Sequence, residues 1–337
     1  MAARLPPAEI TGFLVAFLVW LVIVALAQPL GRSWGSGLEA FCYWASHLSA
    51  PYANSDWTRP GAYVYSPAFL QLVSPLTALP WGVFMGVWTA IMLAAVRYLT
   101  GPRLFALGAL LAVFELFGGN ISLLLAVAMV VGFRWPAAWA FVILTKVTPG
   151  IGLLWFVVRR EWRQLGIALG ATAAVVAVSY VVMPGAWAEW IQVLIRVAGR
   201  DGTWAAVPIP FLVRLPFAIA IVVWGARTDR RWTVPVAGMV ALPALWYGGL
   251  SMLLAVIVLR QQDADRAAET RVADEEAADG LQTRDRERTE LRGHVQQLLG
   301  RDIGRQLVDR HTAERSHRER QHLVALEDVH VDGPVGG

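Results

Sequence analysis

Trp139-Ala-Phe-Val-Ile-Leu-Thr-Lys146-Val-Thr-Pro-Gly-Ile-Gly-Leu-Leu-Trp155 has the composition of a bilayer-embedded segment, with one ammonium near its middle. Lys146 is the single lysine of a chain that otherwise uses 28 arginines. An ionisable group at that depth is costly unless it faces a cavity or a partner, so it marks a functional site. The alternative is a lysine that snorkels from a helix end toward headgroups. Pro149 and Gly150 follow it and break a helix there, which favours the first reading.

Outward from this stretch, the first 260 residues carry all 16 tryptophans and a series of continuous apolar runs. Runs of about 15–25 residues are what a helix needs to cross a bilayer. Continuous rather than alternating hydrophobicity excludes a transmembrane barrel. The fold class is therefore all-α and polytopic, with about 9–10 transmembrane helices on the count of such runs. Spans are expected at 10–28, 82–99, 103–117, 118–133, 136–158, 164–184 and 208–225, with a short segment at 65–80. The stretch 232–259 is too long for one untilted span, and Pro243 and Gly248-Gly249 divide it into two short helices. The opening Met1-Ala-Ala-Arg-Leu-Pro-Pro lacks a small-residue cleavage site before the first run, so a retained helix is expected. The lone Cys42 says nothing about redox compartment.

Charge divides the chain. Residues 1–259 hold 16 basic and 8 acidic side chains, the excess expected of loops that obey the positive-inside rule. Residues 260–337 hold 13 Arg, 17 Asp or Glu and no Trp. Their signs are interspersed, so the tail offers no basic patch for nucleic acid. Its low hydrophobicity points to a disordered cytoplasmic tail over 261–337. Five of the six histidines lie there, too scattered for a zinc site.

Placing the basic clusters Arg159-Arg160-Arg163 and Arg227-Arg230-Arg231 in the cytoplasm puts loops 29–64 and 185–207 outside. The second loop, with Trp187, Trp190 and Trp204, has an amphipathic aromatic pattern suited to lying along the interface. The first is the richest in chemistry. In Gly37-Leu-Glu39-Ala-Phe-Cys-Tyr43-Trp44-Ala-Ser-His47, helical spacing would line up Glu39, Tyr43 and His47 as one stripe. That stripe reads either as an acid–base set or as the wet face of an interfacial helix. Asp56 is the other carboxylate of this loop. Glu115, in an apolar run, reads as a buried partner for a cation such as Lys146, or as a protonated or helix-end glutamate. Asn120 after Gly118-Gly119 reads as a helix cap.

The ordered run Glu39…Tyr43-Trp44…Ala50-Pro51-Tyr52…Tyr65-Ser66-Pro67, continuing through Ser74-Pro75 to Leu79-Pro80-Trp81, resembles glycosyltransferase family 87. Gly119-Asn120, Leu144-Thr-Lys146-Val-Thr-Pro149 and Leu242-Pro-Ala-Leu-Trp246 extend the resemblance over about residues 10–260. The family comprises polyprenyl-phosphate-mannose-dependent mannosyltransferases of actinobacteria with the GT-C fold. The resemblance implies a GT-C-like bundle with large extracytoplasmic loops over residues 1–260. It also implies transfer of a hexose, mannose in the family, from a polyprenyl phosphate donor to a lipid-linked or cell-envelope glycan outside the membrane. Glu39 then stands where the family places a catalytic aspartate, and its extra methylene displaces the carboxylate.

A carboxylate supplies the base for the acceptor hydroxyl. Cations stabilise the charge that grows on the leaving phosphate. This assigns Glu39 as base, Lys146 with Arg59 or Arg200 to the donor phosphate, and Tyr43, His47 and Tyr65 to the sugar or acceptor. No Asp-x-Asp pair occurs before residue 260, which suits a lipid donor used without metal or cofactor; Asp263 and Asp265 form one only in the tail. The alternative is a non-catalytic membrane protein, a glycolipid carrier or a degenerate partner subunit, motivated by glutamate in place of aspartate and by a short membrane part.

Overall fold

The first apolar run becomes helix α1, Pro7–Leu26, with proline at its first turn, where a missing N–H costs nothing. Its 20 residues span about 30 Å, the thickness of a hydrocarbon core. The computed structural model describes residues 6–27, 35–56, 61–198 and 206–327, and among them every regular element is helical. A five-residue helix, α2, Ala40–Trp44, follows in the first loop. Helix α3, Pro67–Thr77, starts where the Ser66 hydroxyl accepts from Phe69 N at 3.2 Å. Helix α4, Trp81–Leu111, packs along α1: Gly12 leaves room for the Phe105 ring, and Trp20 Nε1 donates to Gly86 O at 2.8 Å. It kinks at Gly101 (φ 69°) before Pro102, the boundary expected between spans 82–99 and 103–117.

Beyond it come α5, Val113–Gly118, and α6, Ser122–Gly132. The expected span 136–158 is not one helix. Helix α7, Trp139–Thr145, stops at Lys146, whose backbone is extended (φ −135°, ψ 115°). A 3-10 turn over Thr148–Leu153 then leads into α8, Leu154–Val158. Pro149 removes a backbone donor and disfavours α geometry at Thr148, so the break follows from sequence. Helix α9, Trp162–Val182, is apolar and long enough to cross a bilayer, as are α1 and α4. Other apolar helices among the described residues are shorter, such as the 11-residue α6 and the 17-residue helix Phe211–Arg227, so the all-α membrane bundle combines long helices with broken ones.

Helix α10, Pro184–Ala198, buries Trp187, Trp190 and Val193 along one face. Trp190 Nε1 donates to Val64 O at 3.2 Å, and Arg196 donates to the Ser55 hydroxyl at 3.1 Å. The loop expected at 185–207 is therefore largely a helix seated on the first loop. Helices α11, Phe211–Arg227, and α12, Thr233–Val240, follow. A turn and a 3-10 helix, Tyr247–Leu254, complete the division expected of 232–259.

The final helix, α13, runs Ala255–Glu327 and carries the chain from a first compact unit, residues 1–265, into a second, 266–337. The tail expected to be disordered is thus helical through Glu327. Its low hydrophobicity signals the lack of a core, and from Ala267 on the described side chains are exposed. Residues rich in Ala, Glu, Arg and Gln, with opposite charges interspersed, favour a helix without a core to pack on.

Candidate active site

The site is assembled around the C-terminus of α5. The carbonyls that a helix end leaves unpaired are taken up here by the first loop and by α4. Gly37 N donates to Phe117 O at 2.7 Å, Glu39 N to Gly118 O at 2.9 Å, and Trp88 Nε1 to Gly119 O at 2.8 Å. Gly119 turns the chain with φ 72°, and a Cβ there would lie 2.6 Å from the Ala40 Cβ. Glycine is needed on both counts. These contacts hold the Glu39 side chain against Gly118 and next to Asn120.

Asn120 is the hub. Its Oδ1 accepts from Ile121 N at 2.7 Å, just ahead of α6, and from Lys146 Nζ at 3.2 Å; the Tyr43 hydroxyl lies at 3.5 Å. The Glu39 carboxylate stands close enough to Asn120 and Lys146 to feel both, so a carboxylate, an amide and an ammonium lie side by side. Burial pushes the Glu39 carboxyl above the usual carboxylate range, while the Lys146 charge and the Asn120 hydrogen bond pull it back.

Tyr43 is fully buried, and its hydroxyl donates to the Tyr65 hydroxyl at 3.2 Å. Burial pushes both phenols well above their ordinary value, so neither is a base near neutral pH. The two rings belong to an aromatic cluster with Phe69 and Trp88, at centroid separations of 5.2–5.3 Å.

Asn120, Lys146 and Tyr65 line a cavity of about 290 Å³. Its remaining wall is mostly apolar: Val64, then Trp190, Leu194 and Val197 of α10, then Leu242, Pro243 and Trp246. Thr145 and Thr148, on either side of Lys146, also line it, and their hydroxyls have no hydrogen-bond partner. Arg214 secures the far wall from behind, donating to Ile209 O at 2.9 Å, Val240 O at 2.7 Å and Pro243 O at 3.0 Å.

Of the residues singled out in the sequence, Glu39, Tyr43, Tyr65 and Lys146 therefore come together. His47 does not join them. Helix α2 ends at Trp44, so the stripe Glu39–Tyr43–His47 does not form, and His47 lies exposed beyond the helix. Five residues ahead of Pro51 are too few to carry the helix that spacing alone suggested. Arg59 and Arg200 lie outside the described residues, and Asp56 is exposed. Lys146 donates to Asn120, and Glu115 accepts from Ser122 N, so each of these two side chains bonds another partner in place of the suggested direct pairing. Asn120, read as a helix cap, is not one: Ile121 is the N-cap of α6, its first-turn donor Ser122 N goes to Glu115, and Asn120 is a site residue instead. Thr145 and Thr148 flank the lone lysine and could have been found from that position; the walls from α10 and residues 242–246 arise from tertiary packing.

An all-α membrane protein whose half-buried Asn120 and Lys146, with Glu39 beside them, adjoin a mostly apolar cavity is suited to an amphiphilic, anionic ligand. The family model of Glycosyltransferase family 87 matches residues 63–273, and the chain belongs to that family: it is a membrane glycosyltransferase. No curated protein and no solved structure matches it. The match takes in Tyr65, Asn120, Lys146 and the cavity wall, whereas Glu39 and Tyr43 precede it, so the place of Glu39 in the site rests on geometry alone.

Proposed function

We propose that the enzyme transfers a hexose, mannose by family resemblance, from a polyprenyl phosphate carrier to a lipid-linked or cell-envelope glycan on the extracytoplasmic face, within a GT-C-like bundle. The observation that carries this is the cavity: one ammonium beside the Asn120 amide and Tyr65 in a mostly apolar enclosure. That combination fits a phosphate monoester at the head of a hydrocarbon chain. A nucleotide sugar would need polar walls for its base and ribose.

In the reaction the acceptor hydroxyl attacks the anomeric carbon. The bond from that carbon to the phosphate oxygen breaks, and polyprenyl phosphate leaves with the bonding pair. Glu39 takes the hydroxyl proton as general base. Lys146 meets the charge gathering on the phosphate as a compact point charge. The configuration at carbon inverts because displacement is single. Arg59 and Arg200 remain candidate phosphate ligands. Tyr65 shapes the sugar end of the cavity, and Tyr43 fixes Tyr65 from behind.

The test supplies purified protein with labelled polyprenyl-phosphate-mannose and envelope acceptors, with Glu39→Ala alongside. Transfer by the unaltered protein and a loss of about 10²-fold or more in the variant are expected. Transfer that survives the substitution removes Glu39 from the base role. No transfer from any polyprenyl phosphate sugar removes the donor assignment.

A further inference from the structure

Glu115 is a carboxylate that the reaction above does not use, and it is 1% exposed. One of its oxygens accepts from Ser122 N, an otherwise orphaned donor in the first turn of α6. Its other oxygen has no hydrogen-bond partner. It lies against Gly248, where an added Cβ would stand 2.3 Å from that oxygen and 3.4 Å from the Glu115 Cα. Gly248 comes two residues after Trp246 of the cavity wall. Glu115 thus touches two segments that each adjoin the cavity lining: the turn that carries Asn120, and the start of the 3-10 helix that follows the Leu242–Trp246 wall. Its charge is also within electrostatic range of Glu39 and Lys146.

We propose that Glu115 is the positioning residue of the Asn120–Lys146 pair, clamping the asparagine turn through Ser122 N and setting its distance from that wall through the close approach at Gly248. Burying a carboxylate with one bare oxygen is costly, and such a group persists where the geometry it enforces is used. The use of that geometry, holding Lys146 at a donor phosphate, rests on the function proposed above. The clamp itself stands on the contacts.

The single lysine makes the clamp measurable without any donor. The full chain, purified into lipid nanodiscs, is treated with a small neutral acetylating ester, and acetylation of Lys146 is followed by peptide mass spectrometry. Releasing the asparagine turn frees the ammonium from its amide partner. Glu115→Ala is therefore expected to speed acetylation about fivefold, the effect of losing one net hydrogen bond. Gly248→Ala, which forces the two segments apart, should do the same. Glu115→Gln keeps an acceptor for Ser122 N and should stay within about twofold of the unaltered protein. Wild-type rates in Glu115→Ala and Gly248→Ala overturn the clamp, as does a glutamine variant as fast as the alanine one. Should Glu115→Ala fail to fold, the Gly248→Ala and Glu115→Gln pair decides alone. A parallel arm adds a short-chain polyprenyl phosphate to the unaltered protein. If the clamp pattern holds but this phosphate gives Lys146 no protection, the donor assignment fails and the positioning role stands.

Discussion

Glu39 is held between opposing influences: burial disfavours its charged form, and the Lys146 ammonium and the Asn120 amide favour it. Burial is the larger, so its acid dissociation lies above the ordinary carboxylate value of about 4.3. A protonated base cannot accept the acceptor's proton. Turnover should therefore rise with pH through this elevated value, and the acid limb of kcat should sit above the range of a free carboxylate. Replacing Lys146 with methionine removes the leading influence that lowers the value. The prediction for Lys146→Met is thus twofold: kcat falls, and the surviving acid limb moves further up in pH. A kcat profile over about pH 4 to 9 checks both, since that range brackets carboxylate values raised by burial. A limb at the ordinary carboxylate position, or one that ignores the lysine substitution, would show that another group is the base. The lysine was legible in the sequence because it stood alone among arginines in an apolar run. Asn120 stood in a family motif but read as a cap, because an amide after Gly-Gly looks the same whether or not a lysine distant in sequence reaches its oxygen.

Among the elements, the α5–α6 turn carries the most consequence per residue. A side chain at position 119 would impose the left-handed backbone on an L-residue, at a cost of about 1–2 kcal/mol, and would strike Ala40. Gly119→Ala should push α2 away from α5, separating Glu39 from Asn120 while leaving the spanning helices in place. The expected result is a well-folded protein by thermal unfolding whose kcat drops by more than tenfold, the scale on which misplaced catalytic groups lose rate. Unchanged kcat would mean that the first loop adjusts independently of the turn. Arg214 in α11 makes a different kind of prediction. It serves three backbone carbonyls with one guanidinium, so Arg214→Leu leaves several buried acceptors unpaired. A loss of at least about 2 kcal/mol is expected, read as a lower unfolding midpoint, together with weaker donor binding as the Leu242–Pro243 wall loosens. The breaks at Gly101-Pro102 and Thr148-Pro149 were legible because proline and glycine act locally. The short reach of α2 was not, since an i, i+4, i+8 pattern says where side chains would point if a helix continued and nothing about whether it does.

At the scale of the whole molecule, the two loops assigned to the outside face from charge alone are joined by direct contacts. Trp190 of α10 bonds to Val64, and Arg196 bonds to Ser55. Groups within 3.2 Å of each other lie on the same side of a membrane, so 29–64 and the α10 region share a face whatever its orientation. Another set of contacts gathers arginines against aromatic rings: Arg159 over Trp155, Arg230 over Trp224 and Arg260 over Trp232, with Arg159 also paired to Glu161 and Asp229. Such Arg–Trp pairs suit a headgroup layer, which is the cytoplasmic one in the proposed topology. Single cysteines placed at Ser55 and Glu189, in a Cys42→Ser background, test the assignment with a membrane-impermeant thiol reagent on intact cells. Cys42 itself is buried and its removal should leave the fold intact. Labelling at both outer positions without permeabilisation, and at a cysteine replacing Arg163 only after it, is the expected pattern. Labelling of Ser55 and Glu189 positions on opposite sides would contradict the α10 contacts. Labelling of both only after permeabilisation would keep the fold but place the cavity on the cytoplasmic side, and the proposed extracytoplasmic use of a polyprenyl phosphate sugar would fall.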